Sequence, residues 1–276
     1  MALKNKIAVL IQARLGSKRF PEKIIKKINN KTIIQLIHSR LSRCKEIEDI
    51  IVVTTKDKHD DKLINHLNNK RIKYFRGNNE NCLHRFYYAA KKFNIKTIIR
   101  ITADCPLVDA GLVDKFVKEF KKNKVEYLSN TFPYSFPDGF DIEIFSFDFL
   151  KKVFIKEGKK KQLENVVIDY FKKNYKKIRF KNILSGKNLN NIRLTLDHKA
   201  DYDLIKNIYD YFQPRTNFSW KEVINYKKKN PKIFLINKHY NRNEGSKISI
   251  GQKMWNRAKE IIPGGNMLYS KNSDFI

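Results

Sequence analysis

The run Ile7-Ala8-Val9-Leu10-Ile11 is short, unbroken and rich in β-branched residues. A run of that kind suits a strand buried on both faces, as in parallel sheets. Directly after it comes Gln12-Ala13-Arg14-Leu15-Gly16-Ser17-Lys18-Arg19-Phe20-Pro21-Glu22-Lys23. Gly16 and Ser17 can turn the backbone and present N–H groups, and Arg14, Lys18, Arg19 and Lys23 gather four cations close to the strand's carboxyl end. In open α/β sheets that end is where ligands bind, so the loop is a candidate phosphate site. The arginines and glycine set it apart from the rest of the chain, whose positive charge is almost all lysine.

Strand-like runs alternate with helical patterns along the chain, the signature of βαβ units. The expected strands are Asp49 to Thr54, Lys73 to Phe75, Thr97 to Thr102, Val125 to Ser129, Asp141 to Phe145 and Ile192 to Leu196. The expected helices are Thr32 to Cys44, His59 to Leu67, Cys82 to Phe93, Leu112 to Lys121, Phe147 to Ile155, Gln162 to Tyr175, Asp201 to Phe212 and Trp220 to Lys228. Thr131 to Phe140, with its aromatic residues, prolines and glycine, reads as a functional loop or lid. The fold class is therefore α/β, with a mostly parallel central sheet and helices on both faces.

Lysine and arginine number 58 against 28 acidic residues, a formal net charge of +30 over 276 residues. Such a charge favours polyanionic partners in general without choosing among them. Lys, Asn and Ile are abundant together, as an AT-rich coding sequence would make them, and the lysines near Phe154, Tyr170 and Phe171 lie on amphipathic helices. No nucleic-acid-binding signature accompanies them, so a nucleic-acid partner is not expected. Cys44, Cys82 and Cys105 are far apart and lack a Cys-x-x-Cys spacing, which suits a reducing cytoplasm and gives neither a disulfide framework nor a zinc site. No apolar run is long enough to span a bilayer.

A second group of residues faces the loop in this reading. Asp104, in Arg100-Ile101-Thr102-Ala103-Asp104-Cys105-Pro106, falls just past a central strand, and Asp197 ends the expected strand Ile192 to Leu196. Each alone reads equally as a helix cap or turn residue. As a pair beside a basic loop they fit one Mg2+, which takes a few carboxylates together with phosphate oxygens and water.

These residues carry a family resemblance. Ala13 to Lys23 resembles the amino-terminal signature of the sugar-activating cytidylyltransferases, the group of CMP-Kdo and CMP-acylneuraminate synthetases. Arg76-Gly77-Asn78, Arg100 to Pro106, Pro137-Asp138-Gly139-Phe140-Asp141-Ile142-Glu143 and Leu194-Thr195-Leu196-Asp197 with Asp201-Tyr202-Asp203-Leu204 resemble the spore coat polysaccharide biosynthesis protein F branch. The resemblance spans roughly residues 5 to 235 and implies a Rossmann-like nucleotide-diphospho-sugar transferase fold, usually dimeric. It also implies transfer of a nucleotidyl group from CTP to a sugar, sugar acid or phosphorylated acceptor, with release of pyrophosphate, in surface polysaccharide biosynthesis. Use of another nucleoside triphosphate stays open.

Carried across by position, Ala13, Arg14, Gly16, Ser17, Lys18, Lys23 and Arg100 would bind the nucleotide. Arg14, Lys23 and Asp104 would act in catalysis, and Asp104 and Asp197 would hold Mg2+. Asp141 and Glu143 are candidates for the acceptor side, or ordinary polar residues of a strand edge. The family commonly has glycine where Glu22 stands and a Gly-Lys-Pro-type turn where this chain has Asn29-Asn30-Lys31. An inward Glu22 would oppose phosphate binding, and an outward one would not. The branch also tends to carry basic residues or histidine where Gln162 to Val166 lies.

The expected organisation is a nucleotidylyltransferase domain over 1–235, a polar linker over 236–248 and a further segment over 249–276. Ser249 to Ile262 patterns as an amphipathic helix, and Pro263-Gly264-Gly265-Asn266-Met267-Leu268 resembles the opening of class III pyridoxal-phosphate aminotransferases of the glutamate-1-semialdehyde aminomutase type. That resemblance implies fusion to an aminotransferase domain in a longer protein.

Overall fold

Strand β1 (Ile7–Gln12) is buried on both faces, as its composition requires, and its side chains divide between two cores. The computed structural model describes residues 5–242. Val9 and Ile11 belong to one apolar cluster, Ala8 and Leu10 to the other. The further elements are β2 (Lys27–Ile28), β3 (Lys31–Thr32), α1 (Ile33–Leu41), β4 (Asp49–Thr55), α2 (Asp61–Asn69), β5 (Tyr74–Gly77), α3 (Cys82–Lys92), β6 (Thr97–Thr102) and α4 (Ala110–Asn123). They continue with β7 (Tyr127–Ser129), β8 (Glu143–Ser146), α5 (Phe147–Glu157), α6 (Ile168–Asn174), β9 (Phe180–Asn182), α7 (Lys199–Phe212) and α8 (Trp220–Lys229).

Seven strands form one sheet in the order β5-β4-β1-β6-β8-β7-β9. The pairs β5–β4, β4–β1 and β1–β6 are parallel, β8 runs antiparallel to both neighbours, and β9 is parallel to β7. Helices α1, α2, α4, α7 and α8 contribute buried residues to one cluster, and α3, α5 and α6 to the other. The expected α/β class with helices on both faces is the one observed. In the order β4-β1-β6, β1 has its chain neighbour in the sheet on one side and a later strand on the other, which opens a crevice at its carboxyl end.

Two expectations along the chain need correction. Ile192 to Leu196 is no sheet strand: its only ladder contact is a bridge between Asp138 and Arg193. Its backbone groups bond to loops instead, Leu194 N–H to the Asp138 carbonyl at 2.7 Å and Leu196 N–H to the Asp104 carbonyl at 2.8 Å. The helix expected over Gln162 to Tyr175 starts only at Ile168. Before it, Leu163 is held extended by hydrogen bonds with Cys82 and Glu80, and the β-branched Val166 and Val167 are buried. Thr131 to Phe140 is a loop, as expected, and a packed one, with Phe136 and Phe140 buried and the Asn130 side chain bonded to the Phe140 carbonyl and the Ile142 N–H.

The compact unit runs through Lys238. Residues 236–238, expected in the linker, belong to it: Asn237 is buried and donates to the Arg193 carbonyl at 3.2 Å and to Asp201 at 2.8 Å. The amphipathic helix and aminotransferase-like beginning expected over 249–276 lie outside the described residues.

Candidate active site

The loop after β1 is shaped by its own peptide groups. Ala13 N–H continues to β4, bonding the Val53 carbonyl at 3.1 Å. The Leu15 carbonyl then accepts from Ser17 N–H at 2.7 Å and Glu22 N–H at 3.4 Å, closing the loop on itself. Ser17 therefore turns its N–H inward, while Gly16 is exposed with nothing within 4 Å of where a Cβ would stand. Arg14, Lys18 and Arg19 are exposed, whereas Lys23 is buried. Tyr202 secures the far side of the loop, packing edge-on to Phe20 and donating to the Lys27 carbonyl at 2.6 Å.

Glu22 adopts the left-handed conformation, with φ 54° and ψ 21°. A left-handed residue with a Cβ costs about 1–2 kcal/mol relative to right-handed backbone, which accounts physically for glycine's suitability at this place. The Glu22 carboxylate is bound by Lys62 at 2.6 Å, and that hydrogen bond holds it below the usual carboxylate range. Its negative charge is thus directed onto α2. Asn29 and Asn30 are also left-handed, φ 48° and 63°, and form the turn of the small β2–β3 hairpin. Asparagine tolerates this conformation better than most residues.

Lys23 joins the loop to the segment 192–201. Its Nζ donates to the Leu196 carbonyl at 2.6 Å and to Asp197 Oδ1 at 2.8 Å. Arg19 reaches the same Oδ1 at 2.9 Å, and Arg193 stands 3.4 Å from Oδ2. Burial alone would raise the Asp197 pKa; Lys23, Arg19 and Arg193 outweigh it and hold the group below its ordinary value. Since Leu196 N–H and the Thr195 hydroxyl both bond the Asp104 carbonyl, Asp104 and Asp197 are brought to one end of the sheet with the loop's buried lysine. Asp104 lies half-buried, and among the described residues its carboxylate meets only the Cys105 thiol, at 3.6 Å.

Cys105 is itself buried, and burial together with Asp104, Asp141 and Asp138 pushes its thiol well above the ordinary value. Asp141 is half-buried and follows the packed stretch Pro137 to Phe140. Gly139 sits where a Cβ would stand 2.6 Å from the Leu194 carbonyl group, and its φ is 105°, so the close approach of 137–141 to 193–195 admits no side chain there.

Arg100 and Glu143 face each other across β6 and β8. The Arg100 guanidinium bonds Glu143 and, at 3.0 and 2.8 Å, Gln12 Oε1. Glu143 Oε2 accepts from the Tyr127 hydroxyl at 2.9 Å. Burial would lower the Arg100 pKa, and the Glu143 carboxylate more than reverses that, so the arginine stays charged. Glu143 is 4% exposed and holds Arg100 rather than opening toward an acceptor. Arg100 in turn orients Gln12, whose amide donates to the Glu164 carbonyl at 3.2 Å. Arg14 pairs with the Glu164 side chain at 2.6 Å.

Behind Asp197 lies a network absent from the sequence reading. Asp201 is fully buried and receives Arg193 through two bonds of 2.9 Å, together with the Asp197 and His198 N–H groups, each at 2.9 Å. Arg193 also approaches Asp138 at 3.5 Å. Arg19, counted among the loop's four cations but not among the residues carried across by position, also enters the site through Asp197. A signal for Asp201 was present in the motif that follows Asp197, but its burial depends on α7 docking.

A doubly covered sheet with a basic loop after β1, Asp104 after β6 and Asp197 brought beside them by the packed segment 192–201 has the arrangement of a nucleotidyltransferase-type site. The cytidylyltransferase family model matches residues 8–239, and the chain belongs to that family. The uncharacterized protein MJ1063 of Methanocaldococcus jannaschii is 34% identical over 233 residues, 84% of this chain and 94% of its own. Spore coat polysaccharide biosynthesis protein SpsF of Bacillus subtilis is 26% identical over 233 residues, 82% of this chain and 96% of its own. The solved structure of a cytidylyltransferase from Leptospira borgpetersenii superposes with a TM-score of 0.78 at 34% identity, covering 83% of this chain and 96% of that one.

Proposed function

We propose that this cytidylyltransferase activates a sugar-type acceptor, as expected of a sugar, sugar acid or phosphorylated relative, by transferring the cytidylyl group of CTP with release of pyrophosphate. The observation that carries the reading is the double bond of Lys23 to Leu196 and Asp197, with Leu196 bonded in turn to Asp104. It gathers a phosphate-binding loop and two carboxylates at one strand end. The likeness to SpsF supports a product used in surface polysaccharide or glycoconjugate synthesis.

In such a transfer an acceptor oxygen attacks the α-phosphorus while pyrophosphate leaves in line, so the protein's task is positioning and charge stabilisation. Arg14, Lys18, Arg19 and Lys23 bind the triphosphate, and Arg14 and Lys23 stabilise the charge that develops on pyrophosphate. Triphosphate competes with Asp197 for Arg19 and Lys23, because the carboxylate occupies the same donors that the phosphates need. Asp197 released in this way, together with the open carboxylate of Asp104, is a donor set that fits Mg2+ completed by phosphate oxygens and water. Mg2+ bound there supplies polarisation of the phosphoryl oxygens. Arg100 keeps Gln12 facing the nucleotide side, and Asp141 serves the acceptor. The enzyme works as a homodimer in the cytoplasm. No helix among the described residues is long and apolar enough to cross a membrane.

A thermal-shift series of nucleoside triphosphates with Mg2+, read on the wild type and Asp104→Asn, tests this reading. CTP raises the wild-type midpoint most, because binding to the native state adds stability by mass action. Pyrophosphate release from CTP then falls in Asp104→Asn by roughly a hundred- to a thousandfold with the fold intact. Equal stabilisation by every triphosphate, or near-normal turnover by the variant, defeats it.

A further inference from the structure

The amino-terminal turn of α2 carries a carboxylate that the reaction does not use. Asp60 is 2% exposed, and no cation pairs with it among the described residues. Its Oδ1 accepts Leu15 N–H at 2.7 Å. Its Oδ2 accepts the Thr54 hydroxyl at 2.9 Å, Thr55 N–H at 3.3 Å and the Thr55 hydroxyl. A buried charge balanced only by neutral donors is expensive. A negative charge beside a loop that binds phosphate also opposes that binding by Coulomb repulsion. Those costs demand a geometric return, and the place of Leu15 supplies it.

Leu15 is the hub of the loop, its carbonyl taking Ser17 N–H and Glu22 N–H while its own N–H goes to Asp60. The carboxylate therefore ties the end of β4, through Thr54 and Thr55, to the residue on which the loop closes. Two residues further along, Lys62 fixes Glu22 immediately before Lys23. The loop's curvature, and with it the direction of Lys23, is referred to one turn of α2 at both ends. Asparagine in place of Asp60 keeps the shape but accepts through a single oxygen, so either Leu15 or the threonine pair loses its acceptor.

We propose that Asp60 is a positioning residue for nucleotide binding, fixing through Leu15 the loop that receives the triphosphate. The inference rests on the loop being the triphosphate site. Its loss weakens binding of the triphosphate itself, as distinct from lowering stability alone.

Calorimetric titration of the full chain with CTP and with inorganic tripolyphosphate tests the proposal on the wild type, Asp60→Asn, Lys23→Met and Phe116→Leu. Phe116 is buried on α4 and packs edge-on against Phe136, with no hydrogen bond to the loop, so Phe116→Leu controls for lost stability. Asp60→Asn binds both probes about tenfold or more weakly, the effect of one charge-assisted hydrogen bond. Phe116→Leu, though less stable, binds both as the wild type does. Thr54→Val with Thr55→Val leaves Leu15 its acceptor and Oδ2 its long bond from the residue-55 N–H but removes both hydroxyl donors to Oδ2, and weakens binding by a smaller factor; it carries the test if Asp60→Asn does not fold. Affinity of Asp60→Asn, or of the double variant in its place, within about twofold of wild type overturns the proposal. With Lys23→Met weakened in the same series, that outcome leaves the loop as triphosphate site and removes only the role of Asp60. Wild-type binding retained by Lys23→Met, or absence of CTP binding in the wild type, overturns the loop reading and this inference with it.

Discussion

The loop 13–23 and the segment 192–201 meet at the same end of the sheet and are built on opposite principles. The loop is an open display of cations on a backbone closed on Leu15 by short-range bonds and tied to its surroundings through Asp60 and Lys62, with Arg14, Lys18 and Arg19 exposed. The segment buries its charges: Arg193 and Asp201 lie inside, satisfied by each other and by neighbouring loops and helix α7. An exposed cation on a local turn can exchange partners at small cost, which suits a site that must bind and release an anion. A buried pair holds its geometry, which suits the carboxylate it positions. Lys23, in the loop yet buried, is where the two designs join.

The contrast can be broken by mutation. Arg193→Leu leaves Asp201 buried without its charge partner and is expected to lower stability by about 3–5 kcal/mol, measured by urea denaturation of the unliganded protein. An unchanged denaturation midpoint would mean that the segment is no more tightly built than the loop. Arg14→Ala removes an exposed pair with Glu164 and is expected to change stability by less than about 1 kcal/mol. The same variant binds CTP roughly tenfold or more weakly by calorimetry, since it loses a charge-assisted contact to phosphate. A large fall in stability there would show that the loop is not independent of its surroundings.

The smallest effect sharpens the account of the loop. Glu22→Gly relieves a left-handed residue but loosens the unfolded chain and removes the Lys62 pair, so a net change within about 1 kcal/mol is expected. CTP affinity falls by no more than about threefold, because the exposed Lys62 tie is lost while Asp60 still holds Leu15 and the loop stays closed. Tighter binding by more than about tenfold would mean that its charge reaches the phosphates after all.

How much of this was legible in sequence follows from where each residue's partners lie. Strands β1 and β4 read clearly because both faces are buried and their apolar runs are continuous, and β6 does so despite the half-buried Arg100 within its run. Strand β9 left no such trace: it has three residues, all half-buried, at the sheet's edge. The hairpin β2–β3 is shorter still, though Asn29-Asn30 was a usable turn signal. Among the site residues, Arg14, Gly16, Ser17, Lys18 and Lys23 stood out together because they are contiguous. Glu143 read as available to an acceptor because its partners, Arg100 and Tyr127, come from other strands. Asp60 did not stand out at all, since nothing local announces that it receives Leu15.

The sequence by itself determined the α/β class, the doubly covered strand and the basic loop behind it, because hydrophobic period and contiguous charge are local properties. The tertiary structure alone decided that Lys23 meets Asp197, that Glu22 turns to Lys62, and that Asp60 and Asp201 are buried acceptors. Those outcomes depend on distances between segments far apart in the chain. Docking removes water from these charged groups, and each group must then find its partner across that distance.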